Sequence, residues 1–189
     1  MKLSDYNNQF GDIDLFLLDL LLKGEVSDQA EVLDAGCGAG RNTFFFLRHS
    51  FRVTAIDKNP ADVGATNLMS RSFNKGDVAK VGNLLSLPFH ENSFDLIVCS
   101  RTLHFAESLS QFNQMASELK RVLRTSGLLY LSMNSSIGLD RKVVDESNHY
   151  LMTDEMLSDL NEKWIHIQEP RTIIFDQTHA ETTLILRKP

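Results

Sequence analysis

The sequence lacks the cysteine spacing that would mark a disulfide framework or a metal site. Only two cysteines occur among 189 residues, Cys37 and Cys99, and they form no paired metal-ligand spacing. Each falls at a predicted strand end, where a small buried thiol is the ordinary expectation. An excess of positive charge is missing too. Nineteen Lys and Arg against 25 Asp and Glu leave a net charge of −6, whereas a long nucleic-acid footprint is normally basic. Nucleic acid is therefore not the expected partner, although Lys120, Arg121 and Arg124 could make a local patch or simply the solvated face of a helix. Long apolar runs are absent as well. Residues 13–22 are rich in apolar side chains, but Asp14 and Asp19 interrupt them and the stretch is too short to span a bilayer. No basic segment followed by an apolar run and a small-residue cleavage site opens the chain. These absences lead to the expectation of a soluble protein in a reducing compartment, the cytoplasm, with no membrane partner.

What is present is a globular composition, 42% apolar and 23% charged, able to bury a sizeable core. Length and the lack of repeats or linkers suggest one domain over 1–189. Within it, 1–24 form an N-terminal lid and helix, and 134–152 are available to cover a substrate. Apolar residues at Ile13, Phe16, Leu17, Leu20 and Leu21 predict a helix from Asp12, stopped by Lys23 and Gly24. Strands are expected over 31–35, 52–57, 77–84 (weakly), 94–99 and 128–133. Helices are expected over 41–49, from Pro60 to near Phe73, and from a Ser108/Gln111 capping box to Gly127. After Thr153 a brief helix precedes two strands, 164–167 and 182–186, joined by an irregular stretch. Alternating strands and helices imply an α/β fold, a doubly wound Rossmann-like sheet that is mostly parallel. The two closing strands add a C-terminal antiparallel hairpin at one edge.

The chemistry concentrates after the first strand. Asp34-Ala35-Gly36-Cys37-Gly38-Ala39-Gly40 is delivered to the carboxyl end of the sheet, where open α/β folds bind ligands. Glycines allow a sharp turn and close approach of backbone to a ligand. Asp57 ends the second strand, where a carboxylate can accept from both hydroxyls of a ribose. A tight βα turn needing glycine only for its backbone is the plainer alternative. The dinucleotide fingerprint is G-x-G-x-x-G, but here the spacing is G-x-G-x-G, with Arg41 where a third glycine would fall. That tighter loop after an acidic residue suits an adenosine ligand whose group near the loop is an amino acid rather than a pyrophosphate.

Val32 through Gly40 resembles the first motif of the class I S-adenosylmethionine-dependent methyltransferases, and the likeness runs through most of the chain. Gly40-Arg41-Asn42 with Val53 through Asn59 is similar to the tellurite-resistance-type, small-molecule branch. The resemblance implies S-adenosylmethionine as cofactor. It further implies backbone contact from Gly36 and Gly38 to the methionine part, with Cys37, Gly40, Asn42 and Ser100 around it. Asp34 would orient the loop and the cationic amino end, Asp57 would hold the ribose, and Lys58 would stack nearby. Asn83 and Leu84 would read the adenine edge, although Asn83 also fits an ordinary loop cap.

After the fourth strand, Cys99 through Phe105 occupies the place where the family puts substrate-facing groups. The Asn/Asp-Pro-Pro-Tyr tetrad of amino-group methylation on adenine or glutamine is absent. His104 has the pKa range of a proton acceptor, but a lone histidine is also a common structural hydrogen-bonder, and many methyl transfers need only alignment. Tyr6 and Phe10 could close over a sulfonium as an aromatic lid or simply pack. Phe44-Phe45-Phe46 and Trp164 read as core. The expected function is methyl transfer to a small molecule. A protein acceptor, a non-catalytic cofactor-binding module and a nicotinamide-dependent oxidoreductase are the alternatives.

Overall fold

A computed structural model describes residues 9–139 and 150–189. Tyr6 and residues 140–149 of the expected cover lie outside it. The order is α1 (Leu15–Leu22), β1 (Glu31–Ala35), α2 (Arg41–Arg48), β2 (Arg52–Asp57), α3 (Pro60–Ser72), β3 (Ala79–Val81) and β4 (Phe94–Ser100). A 3-10 turn (Leu103–Phe105) then leads to α4 (Leu109–Val122), β5 (Leu123–Ser135), α5 (Asp154–Lys163), β6 (Ile165–His166), β7 (Arg171–Ile174) and β8 (Ala180–Arg187).

One sheet carries the order β3-β2-β1-β4-β5-β8-β6, with β7 also paired to β8. Strands β1 to β5 run parallel, and β8 runs antiparallel to β5, β6 and β7. The chain builds outward from β1 to β3 and then returns to the other side of β1 with β4. That reversal opens a crevice at the carboxyl ends of β1 and β4.

Alternate residues of the central strands feed two cores, as strands covered on both faces must. Val32, Leu96 and Val98 pack with Leu17, Leu20, Phe45 and Phe46. Leu33, Ile97 and Cys99 pack with Phe112, Leu119 and Trp164. Phe45, Phe46 and Trp164 are therefore core, as their sequence context suggested, while Phe44 meets Phe73 edge to face.

Several boundaries differ from expectation for identifiable reasons. Helix α1 starts at Leu15 rather than Asp12 because Asp14 caps it, its carboxylate accepting from the Phe16 N–H at 3.1 Å. Helix α4 stops at Val122 and the chain turns extended at Leu123, which pairs with Phe94. Arg124 then donates to Asp95 and to the Asn92 carbonyl, drawing this segment onto the sheet before Gly127 is reached. The expected strand over 77–84 contracts to Ala79–Val81. Strand β7 emerges in the stretch expected to be irregular. Its side chains are mostly exposed, so pairing to β8 is its main support, with Arg171 also reaching Phe16 and Asp19 of α1. Of the expected cover, residues 134 and 135 belong to β5, and Met152 is fully buried beside Ser135.

Candidate active site

The crevice beyond β1 and β4 divides into two hollows that share Gly36, Gly38 and Arg101 in their walls. The larger, about 410 Å³, is walled by Asp57, Lys58, Asn83 and Leu84, and on the opposite side by Thr102 and Phe105. The smaller, about 280 Å³, is walled by Asp34, Cys37, Arg41, Asn42 and Ser100.

The glycine loop is suspended from the end of β2. Gly36 and Cys37 donate their N–H groups to the Ile56 carbonyl at 2.8 and 3.1 Å, and Gly38 donates to Asp57 Oδ2 at 2.9 Å. Gly36 has φ +79°, and a Cβ there would lie 2.2 Å from Thr102 Oγ1, so the loop and the post-β4 segment approach closely only because this residue is glycine. Gly38, with φ +51°, differs. A Cβ there would meet nothing within 4 Å, so its bare face looks onto open space at the junction of the two hollows. A cradle of this kind admits a ligand against the main chain.

Asp57 ends β2 with both carboxylate oxygens engaged by the backbone, Oδ2 by Gly38 and Oδ1 by the Asn59 N–H at 2.8 Å. Each oxygen keeps acceptor capacity for one further donor, which suits two vicinal hydroxyls. Lys58 projects toward Phe105, its Nζ 5.3 Å from the ring centroid, so the two side chains reach toward each other at the larger hollow. Asn83 makes the loop cap that was the plainer reading. Its Oδ1 accepts from the Leu85 N–H at 3.0 Å, leaving the amide nitrogen as the donor end. Leu84 is buried and lines the same wall.

Asp34 is 2% exposed and accepts from the Thr43 hydroxyl. Burial pushes its pKa up to about 6, against the opposing pull of the Thr43 hydrogen bond and the Arg41 charge. Arg41 spans the smaller hollow's rim, donating to Ser100 Oγ at 2.9 Å and lying 3.7 Å from Asp14. Asn42 is turned partly away, its Oδ1 accepting from the Asp14 N–H at 3.1 Å. Burial raises the Cys37 thiol pKa and pushes that of Cys99 up to about 12, so both remain protonated small hydrophobes near neutrality.

Two expected site residues stand apart. Gly40 caps α2 against Met69 and Thr66 and lines neither hollow. His104 is buried, packs its ring against Phe105 and also lines neither. From the post-β4 segment it is Arg101, Thr102 and Phe105 that face the larger hollow. Sequence reasoning missed Thr43 and the wall supplied by Gln111 and Met115 of α4. Their one readable signal was helical spacing, which places residues four apart on one face.

A glycine loop at the switch point, a buried carboxylate before it and a second carboxylate ending the next strand form the arrangement of the class I S-adenosylmethionine-dependent methyltransferase family. Residues 33–131 match the family model described as Methyltransferase domain, and the chain belongs to that family. It is 31% identical over 112 residues to an uncharacterized methyltransferase, YodH, of Bacillus subtilis, covering 58% of this chain and 46% of that protein. The chain spans about half the length of the curated relatives it matches. Among solved structures it resembles TehB from Haemophilus influenzae, with a TM-score of 0.76 at 17% identity, covering 98% of this chain and 66% of that one. A SAM-dependent methyltransferase from Methanosarcina mazei aligns with a TM-score of 0.73 at 20% identity, over 94% of this chain and 98% of that one. At such identities the likeness speaks for the fold. The cofactor of the class is S-adenosylmethionine, and the bare face of Gly38 with the free acceptor capacity of Asp57 fits it. Among the described residues no helix is long and apolar enough to cross a membrane.

Proposed function

We propose that this chain transfers the sulfonium methyl of S-adenosylmethionine to a small-molecule acceptor beside Arg101, Thr102 and Phe105. One observation carries the reading: the two hollows meet at Gly36, Gly38 and Arg101. The larger hollow would take the nucleoside, with Asp57 on the ribose hydroxyls and the Asn83 amide nitrogen and Leu84 at the base. The smaller hollow would take the amino-acid end, with Asp34 facing its ammonium. When bound, the cofactor supplies an electrophilic methyl and a leaving thioether. The chain's residues bind, orient and exclude water, and alignment of this kind can provide much of the acceleration.

A small acceptor is favoured over a nucleic acid by the net charge of −6, which repels phosphate backbones. His104 lines neither hollow, so proton removal by its ring is not required. His104→Gln is expected to leave turnover within about threefold, whereas a loss of a hundredfold or more, the scale of general-base catalysis, would make it the base. The test of the function itself is transfer of label from methyl-labelled S-adenosylmethionine to a metabolite panel. Label appearing in a low-molecular-weight product supports the proposal. Label in protein would replace the acceptor class, and tight S-adenosylhomocysteine binding without transfer to any acceptor would mark a non-catalytic module.

A further inference from the structure

The wall formed by residues 83–85 is closed locally by the Asn83 cap and braced from outside. It is suspended from one face of α4 by side chains four and three residues apart, Gln114, Glu118 and Arg121. Gln114 Nε2 donates to the Leu85 carbonyl at 3.0 Å. The Glu118 carboxylate accepts from the Leu87 N–H at 2.7 Å. Arg121 donates to the Phe89 carbonyl at 2.8 Å and the Leu87 carbonyl at 3.0 Å. Its Nε and Nη2 also form a fork on Glu118 at 2.7 and 2.8 Å. Three backbone carbonyls and one N–H of a loop without regular structure are therefore satisfied by a single helix. That helix also gives Gln111 and Met115 to the same hollow, so the wall and its support border one space.

We infer that Gln114, Glu118 and Arg121 are positioning residues for the adenine end of the cofactor site, setting the distance between the 83–85 wall and helix α4. The inference rests on the cofactor reading above. A guanidinium is required because only a planar donor fork can hold one carboxylate and two carbonyls together. An ion pair of the opposite polarity would keep the charges but lose the donors to Leu87 and Phe89.

The test is calorimetric binding of S-adenosylhomocysteine and of 5′-methylthioadenosine, which share the nucleoside but not the amino-acid end. Arg121→Met is expected to weaken both by the same factor, about tenfold, the scale of one lost charge-assisted hydrogen bond. Gln114→Ala leaves the Glu118–Arg121 pair intact and is expected to weaken both about threefold; it decides the matter if Arg121→Met fails to fold. The double swap Glu118→Arg with Arg121→Glu is expected not to restore affinity. Unchanged affinities in folded variants, loss confined to S-adenosylhomocysteine, or rescue by the swap would each overturn the inference. Absence of binding by the wild-type protein would instead remove the cofactor site itself, and the positioning role with it.

Discussion

Asp34 is a carboxylate held where water barely reaches, and that placement carries a cost the protein bears in its resting state. Its pKa of about 6 in the fold, against 3.8 for a free carboxyl, means the folded chain retains a proton that the unfolded chain has already lost. Stability from this group is therefore highest below about pH 4 and falls as pH rises toward 6; above that the penalty is complete, on the order of 3 kcal/mol. Asp34→Asn should accordingly stabilise the ligand-free protein by up to about 3 kcal/mol at pH 8 and by little at pH 4. Urea unfolding at the two pH values measures this, and equal effects at both would show that Asp34 is not perturbed. The same variant should bind S-adenosylhomocysteine more weakly, the usual exchange of stability for function. Asp57→Ala is expected to reduce affinity by about 1–3 kcal/mol, and unchanged affinity would remove Asp57 from the site. Asp34, Gly38 and Asp57 were legible because glycine and strand-terminal acid leave a pattern along the chain. Thr43 and Met115 were not, because a threonine inside a helix and a methionine on an apolar stripe look the same whether they face a ligand or a core.

At the scale of elements, legibility followed burial. Strands β1 and β4 have most residues buried and read plainly as apolar runs. Strand β7, with Ile173 and Ile174 exposed, offered no such pattern; hydrogen bonds to β8 maintain it, and these leave no trace in composition. Helix α4 was found by its start and missed at its end. Ser108 Oγ accepts from the Gln111 N–H at 3.2 Å, as the capping box anticipated, but Gln111 Oε1 takes the N–H of Glu107 rather than that of Ser108. The end of α4 is set by pairing of Leu123 with Phe94, a tertiary event with no local signal. Ser108→Ala should cost about 1 kcal/mol of stability, the usual value of a helix cap, read as a lowered denaturant midpoint. No change would mean that the Glu107–Gln111 contact alone closes the helix.

For the whole molecule, cofactor binding and folding are linked. A ligand seen only by the folded chain stabilises it by about 2.7 kcal/mol at a hundred times its Kd. Saturating S-adenosylhomocysteine should therefore raise the melting temperature of the wild-type protein. It should leave Gly38→Val unshifted, because a side chain there would fill the open face of the loop. A shift in that variant equal to the wild-type shift would show that the ligand does not approach Gly38.

Strand β8 has a consequence for how the molecule comes into being. It is the last strand in chain order, yet it lies inside the sheet, between β5 and the short edge strands β6 and β7. Neither edge strand has a partner until residues 180–187 arrive, and Tyr130 and Leu131 of β5 have no neighbour on that side. On the ribosome, the glycine loop and Asp57 can be translated, and even locally arranged, long before the sheet that fixes them is closed. Residues 180–187 thus gate closure of the sheet, since these sequence-distant pairings form late.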